Sequence, residues 1–135
     1  MFLKVIHLIV VGKLKDQHLE ALEQTYLKRI PAIKITEVKK EEDVISKIKG
    51  DVYLLEEKGL LMDTPEFSQW LFKKMETDFS LVIGGASGHH PSVIDIAKGS
   101  ISLSPLTFPH KLARILLVEQ IYRAVTLKAG HPYHK

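Results

Sequence analysis

Short apolar runs recur along the chain, separated by segments whose apolar residues fall three and four positions apart. That alternation of a period near two with a period near 3.6 is the signature of strands connected by helices. The opening Met1-Phe-Leu-Lys-Val-Ile-His-Leu-Ile-Val-Val11 reads as a buried first strand ending at Gly12. Asp16 is placed to cap a helix through about Ile30, with Leu19, Leu22, Tyr26, Leu27 and Ile30 on its apolar face and Pro31 as its stop. Ile33 to Val38 predicts a second strand, Glu41 to Lys49 a short helix stopped by Gly50, and Val52 to Leu55 a third strand followed by the loop Glu56-Glu-Lys-Gly59. Asp63-Thr-Pro-Glu66 carries a capping residue with proline in the first turn. It predicts a helix to about Glu76 bearing Phe67, Trp70, Leu71, Phe72 and Met75. Phe79 to Ile83 is a fourth strand, Pro91 to Ala97 a short helix, Ile101 to Leu103 a fifth strand, and about Pro109 to Lys128 a long final helix.

Strands of four to eight residues alternating with helices predict an α/β fold, a mostly parallel sheet with helices on both faces. At 135 residues the chain fits one domain spanning 1–135. Ligands of such sheets bind outside the carboxyl ends of the strands. The loops after Leu55, Ile83 and Leu103 therefore matter most.

The loop after Ile83, Gly84-Gly-Ala-Ser-Gly88, leaves a strand and precedes a helix. Glycines there permit close approach of a ligand or a tight turn, and both readings stand. Its spacing matches neither the dinucleotide fingerprint nor the P-loop, which disfavours nicotinamide cofactors and nucleoside triphosphates. After the fifth strand, Ser102, Ser104 and Thr107 interleave with Leu103, Leu106 and Phe108. That mixture suits a flat, mostly uncharged ligand such as an adenine ring, held in a slot that Pro105 and Pro109 stiffen.

The final helix carries apolar residues over an arc of roughly 200° at 100° per residue. Ala113, Ile115, Leu117, Val118, Ile121, Tyr122, Ala124 and Val125 make up that arc. So wide an arc predicts burial against a second copy of the chain, the alternative being a central helix inside one subunit.

Charge adds a partner. The formal net charge is +3, but from Lys98 onward six basic residues (Lys98, Lys111, Arg114, Arg123, Lys128 and Lys135) face the single acid Glu119, giving +5 there and −2 in the rest. A localised basic region points to an anionic partner, nucleic acid before membrane because no basic amphipathic anchor accompanies it. The opening apolar stretch, broken by Lys4 and His7, is short of a membrane span of about 20 residues and has no small-residue cleavage site. There is no cysteine, which removes thiol chemistry and fits a reducing cytoplasm. Histidine pairs occur at His89-His90 and at His131 and His134, but no acidic cluster completes them and no metal is expected.

Four segments in order and spacing resemble the SPOUT methyltransferases. Within them the likeness is to the small pseudouridine N3-methyltransferases of large-subunit (23S) ribosomal RNA. The segments are Leu81-Val-Ile-Gly-Gly-Ala-Ser-Gly88, Ser102-Leu-Ser-Pro-Leu-Thr-Phe-Pro-His110, Leu117-Val-Glu-Gln-Ile-Tyr-Arg-Ala124 and Gly130-His-Pro-Tyr-His-Lys135. The resemblance covers nearly the whole chain. It implies a C-terminal trefoil knot, a homodimer, S-adenosylmethionine as methyl donor, and N3 of a pseudouridine in the ribosome as acceptor. The family's cofactor loops correspond to Leu55, Gly85 and Ser104-Pro105-Leu106-Thr107-Phe108-Pro109. The sequence departs from the family's usual pattern at His89-His90, where a leucine is common, and at Lys135, where arginine is more frequent.

Removing the imide proton of such an acceptor calls for a base or an anion-stabilising group. His110, Arg123, Tyr133 and His134 are the candidates. His110 stands where the loop meets the final helix, Arg123 offers charge to phosphate or to the developing anion, and Tyr133 and His134 can stack on a base or donate hydrogen bonds. Each has a plainer reading: a first-turn polar residue for His110, an ion pair with Glu119 for Arg123, and a frayed terminus for the tail. Two other functions compete. A non-catalytic ribosome- or RNA-binding protein would use the basic C-terminal region and ignore S-adenosylmethionine, and a small-molecule methyltransferase would have no use for that region.

Overall fold

The computed structural model describes residues 4–30 and 32–130. Five strands form one wholly parallel sheet: β1 (Ile6–Val11), β2 (Ile33–Val38), β3 (Asp51–Leu61), β4 (Phe79–Ile83) and β5 (Gly99–Ser102), in the order β2-β1-β4-β3-β5. The helices are α1 (Gln17–Leu27), α2 (Thr64–Lys74), α3 (Pro91–Ile96) and α4 (His110–Lys128). Central β4 is buried at every position, as expected of a strand covered on both sides.

Alternate residues of each strand feed two cores. Leu8, Phe79, Leu81 and Ile83 face the core made with Leu71 and Met75 of α2 and Leu117, Val118 and Ile121 of α4. Ile9, Val52, Leu54 and Val82 face a smaller core with Val38, Val44 and Val93. Helix α4 packs against both α1 and α2. Ser68 Oγ donates to the carbonyl of Ala124 at 2.9 Å, and Arg29 donates to the Tyr122 hydroxyl at 3.2 Å.

Local chemistry explains the helix starts. The Asp16 carboxylate accepts from the N–H groups of His18 (2.9 Å) and Leu19 (3.1 Å), satisfying orphan donors of α1. Asp63 and Glu66 form a reciprocal capping box at α2, each side chain accepting from the other's backbone N–H at 2.9 Å.

Several sequence expectations change. Helix α1 stops at Leu27, Leu22 is exposed, and Ile30 reaches the core from the turn that follows. The predicted helix over 41–49 is two 3₁₀ turns, Glu41–Asp43 and Ile45–Lys47. Strand β3 runs on through the predicted loop to Leu61, although its register with β5 breaks: Leu55 and Leu60 both pair with Ile101, so Glu56–Gly59 bulge out between them. Gly59 is pressed onto β5, and a Cβ there would lie 2.7 Å from the carbonyl carbon of Ile101.

The wide apolar arc of α4 is filled from within one subunit. Leu117, Val118, Ile121 and Ala124 are each 0% exposed. The helix lies over the sheet with α1 and α2 on its flanks, so the central-helix alternative holds and the arc gives no support to a dimer.

Candidate functional site

The three loops singled out by topology meet at the carboxyl edge of the sheet around a cleft of about 480 Å³. That volume lies within the range of small-molecule sites. Its wall is apolar at Leu55, Ile83, Leu103, Leu106 and Phe108, with Gly84, Gly85 and Gly88 on one side and His89 and His110 as imidazoles. Of the expected cofactor residues, Leu55, Gly85, Ser104, Leu106 and Phe108 line it. Pro105, Thr107 and Pro109 are exposed and do not. Pro109 instead starts α4, its carbonyl accepting from Ala113 at 2.9 Å.

Hydrogen bonds join the loops to one another. The Ser102 hydroxyl lies 2.9 Å from the Glu57 carbonyl and 3.0 Å from that of Ser104, and accepts from the Ser104 N–H at 3.1 Å. It ties the β3 bulge to the segment after β5. The Ser104 hydroxyl in turn accepts from the Leu106 N–H at 3.0 Å.

The glycine loop closes on itself through Gly88 N–H to the Gly85 carbonyl, 3.0 Å. Gly88 sits at φ +80°, a left-handed backbone suited to glycine. A Cβ on Gly84 would strike the Gly88 carbonyl oxygen at 2.8 Å. A Cβ on Gly85 would meet Val11 Cγ1 at 3.1 Å and Glu41 Oε1 at 3.2 Å, behind the loop and outside the cleft lining. Gly85 thus faces the cleft with its backbone, and its missing side chain serves packing.

His89 is the site residue that sequence reasoning passed over as a mere departure. Its Nε2 lies 3.1 Å from the Leu55 carbonyl oxygen, joining the glycine loop to the end of β3's regular pairing. A carbonyl only accepts, so Nε2 donates in this contact. That Nδ1 is buried without a partner. Its neighbour His90 caps α3, Nδ1 accepting from the Ser92 N–H at 3.2 Å. The signal available was an imidazole directly after a glycine loop.

The catalytic candidates separate. His110 is exposed at the cleft, in the first turn of α4. Arg123 lies two-thirds of the way along α4, with Nε donating to Glu119 Oε1 at 2.8 Å, and is not part of the cleft lining. Tyr133 and His134 lie outside the described residues.

The basic C-terminal region also divides. Arg114 is 7% exposed, inserted between Glu23 of α1 (Nε–Oε2 2.6 Å, Nη2–Oε1 2.9 Å) and Glu37 of β2 (Nη1–Oε2 2.6 Å). Burial opposes its charge, but the two carboxylates outweigh it and hold the guanidinium above its ordinary pKa. Lys128 Nζ stands 5.7 Å from the Phe72 ring centre. Arg114 is therefore a structural charge, a correction to its count as part of a basic region awaiting an anion.

Among the described residues, no group of three His, Asp or Glu side chains gathers to hold a metal, and no helix is long and apolar enough to cross a membrane.

Comparison with known proteins adds a family. A family model described as "Predicted SPOUT methyltransferase" matches residues 5–134. Proteins named Ribosomal RNA large subunit methyltransferase H are similar over most of their length. That of Prochlorococcus marinus (strain NATL1A) is 39% identical over 95% of this chain and 94% of its own. That of Rhizobium rhizogenes is 38% identical over 96% and 98%. The Thermus thermophilus protein of the same name is 38% identical over 81% of this chain and 80% of its own. In fold, the crystal structure of TrmJ from Z. mobilis ZM4 superposes with a TM-score of 0.57 at 9% identity, covering 91% of this chain and 70% of that one.

Proposed function

Because the chain belongs to the SPOUT methyltransferase family, we propose that it methylates N3 of a pseudouridine in large-subunit (23S) ribosomal RNA. The donor is S-adenosylmethionine, and the protein acts as a cytoplasmic homodimer on the ribosome. The observation that carries this reading is the convergence of the loops after Leu55, Ile83 and Leu103 on one mostly apolar cleft. The cleft fits the donor in size and chemistry, with an apolar slot for an adenine and backbone groups of the glycine loop.

Leu55, Gly85, Ser104, Leu106 and Phe108 would hold the cofactor. When bound, its sulfonium supplies an activated methyl group for in-line displacement. The chain's own contribution is first positional. Holding the acceptor at near-attack distance is worth roughly 7–11 kcal/mol, and the loops that would do so are tied to one another through Ser102 and His89. His110, exposed on the cleft, is the group that takes the N3 proton. Arg123, oriented by Glu119, contributes charge further along α4. Tyr133 and His134 hold the acceptor nucleotide, which assigns the tail a role that α4 itself does not fill.

The dimer rests on other residues than the buried arc. Leu106 is 70% exposed, Leu112 44% and Leu116 39%. These apolar side chains, beside the cleft and along the outer side of α4, are what a second copy would cover. The family's trefoil knot extends the same reading.

The test is transfer of label from S-adenosylmethionine to whole ribosomes, isolated large subunits and naked RNA, followed by nucleoside mapping. Label at N3 of a pseudouridine is expected. Label on another nucleoside overturns the acceptor, and absence of cofactor binding favours a plain RNA-binding protein. Deleting residues 131–135 should lower transfer by orders of magnitude while calorimetric S-adenosylhomocysteine affinity holds. Unchanged transfer by the truncated chain would return catalysis to His110 and Arg123.

A further inference from the structure

We propose that the run Glu56-Glu57-Lys58 on the rim of the cleft reads the charged amino-acid end of the methyl donor and favours the donor over its demethylated product; this rests on the S-adenosylmethionine reading above. All three residues line the cleft and are exposed. The rest of the described lining is apolar side chains, glycines, Ser104 and the imidazoles of His89 and His110. The formal charges of the cleft are therefore concentrated in this one run.

The backbone beneath the run is held before, within and after it. The Leu55 carbonyl oxygen lies 3.1 Å from His89 Nε2, and the Ser102 hydroxyl donates to the Glu57 carbonyl at 2.9 Å. Gly59 then presses onto β5, where a Cβ would lie 2.7 Å from the Ile101 carbonyl carbon. The charged side chains form no ion pairs of their own. Among the described residues neither glutamate has a cationic group within 4 Å and Lys58 has no carboxylate that near, whereas Glu23, Glu37 and Glu119 are each bridged by an arginine. Charges set on a held backbone meet a ligand with little further ordering of the chain.

These charges complement the donor's one for one. At neutral pH S-adenosylmethionine carries two cations, the sulfonium and the α-ammonium, and one carboxylate. The run offers two carboxylates and one ammonium. Methyl transfer leaves a neutral thioether, so the product keeps its ammonium and carboxylate but loses one attraction to the rim. The apolar walls accentuate the difference, because a low-dielectric surround focuses the field of the few charges present. Each exposed contact is individually weak, which suits release of the spent donor.

The test is calorimetric binding of S-adenosylmethionine, S-adenosylhomocysteine and methylthioadenosine to the unmodified full-length chain, E56Q/E57Q and K58Q. Methylthioadenosine has the adenosine part and a neutral thioether but no amino-acid end. Its affinity should be the same in every protein. E56Q/E57Q should bind the donor roughly three- to tenfold more weakly and the product by a smaller factor, while K58Q weakens both alike, roughly twofold. Equal losses for donor and product in E56Q/E57Q, or no loss, overturn selection by charge. Weaker methylthioadenosine binding in E56Q/E57Q overturns it as well, since the run then supports the cleft instead of reading charge. Loss of methyl transfer with donor affinity intact moves the carboxylates to the acceptor and also overturns it. An unmodified chain that binds none of the three ligands brings down the donor reading itself, whereas ligand binding that the variants leave unaltered brings down the charged rim alone.

Discussion

On one face of the sheet, helices of eleven, eleven and nineteen residues pack over Leu8, Leu81 and their neighbours; on the other, two 3₁₀ turns and a six-residue helix cover Ile9, Leu54 and Val82. The thick face is where a large apolar core and a buried ion triad accumulate. The thin face ends in the glycine loop and α3, which carry Gly84, His89 and Ile94 to the cleft. The division teaches that the platform and the ligand loops draw on separate reserves. A loop can adjust on the thin side while the strands beneath it are held from the other.

The largest expected effect is on the triad. Arg114→Ala leaves Glu23, 4% exposed, as an uncompensated buried charge. Loss of one partner of a buried pair costs about 3–5 kcal/mol. Urea unfolding should show that loss, and Arg114→Lys, without the planar fork, should recover only part of it.

Adjacent residues of β1 then compare the faces directly. Leu8 (0% exposed) looks into the thick core and Ile9 (1%) into the thin one. Truncation to alanine costs about 2–5 kcal/mol, more where the surroundings cannot collapse. Leu8→Ala should fall at the upper end and Ile9→Ala at the lower. Equal losses in denaturant titrations would erase the distinction between the faces.

His89→Leu sharpens it at the cleft. It removes one hydrogen bond, net about 0.5–1.5 kcal/mol, together with an unsatisfied buried acceptor that costs about 1–3 kcal/mol. Stability should therefore stay level or rise by about 1 kcal/mol, while S-adenosylhomocysteine affinity measured by calorimetry falls severalfold. A variant with unaltered affinity would show that Nδ1 receives nothing from the ligand.

The smallest effect concerns pH. Two backbone N–H groups, Leu19's foremost, hold the Asp16 carboxyl below its ordinary pKa. A depressed carboxylate stabilises the fold above the unfolded value of about 3.9. That contribution is lost as pH falls through the lower, folded value. Asp16→Asn keeps a capping oxygen and removes the charge. Its thermal midpoint should lie slightly below that of the unmodified chain at neutral pH and converge with it once the pH has fallen through the lowered Asp16 value.

Much of this organisation was readable before the fold was known. Apolar runs marked all five strands, Asp16 and Asp63 marked helix starts, and topology named the three loops that meet at the cleft. What escaped notice depended on partners far away in sequence. Arg114 reads as a free cation until Glu23, ninety-one residues earlier, is seen beside it. The polar run Glu56-Glu-Lys-Gly59 looks like a turn because only its pairing limits with β5 reveal a bulged strand. The arc of α4 signals burial, but periodicity cannot distinguish α1 and α2 from a second subunit as the cover. Gly85 lines the cleft, yet the direction of its absent Cβ is a property of the folded loop alone.

The wholly parallel pairing of the sheet has a consequence for how the molecule is born. Among the described residues no strand has a hairpin partner, so every pairing waits for a crossover to be completed. During synthesis β1 can bind β2 early, but its other edge stays open until Phe79–Ile83 has emerged. The far end of β3, with Leu60 and Leu61 more than half exposed even in the finished fold, waits longer still, until Gly99–Ser102 follows. High contact order slows folding, and open apolar edges invite association with other chains in the meantime. The nascent chain is therefore most vulnerable to aggregation between the making of β3 and the making of β5, and a chaperone that shields it over that interval should raise the yield of folded protein.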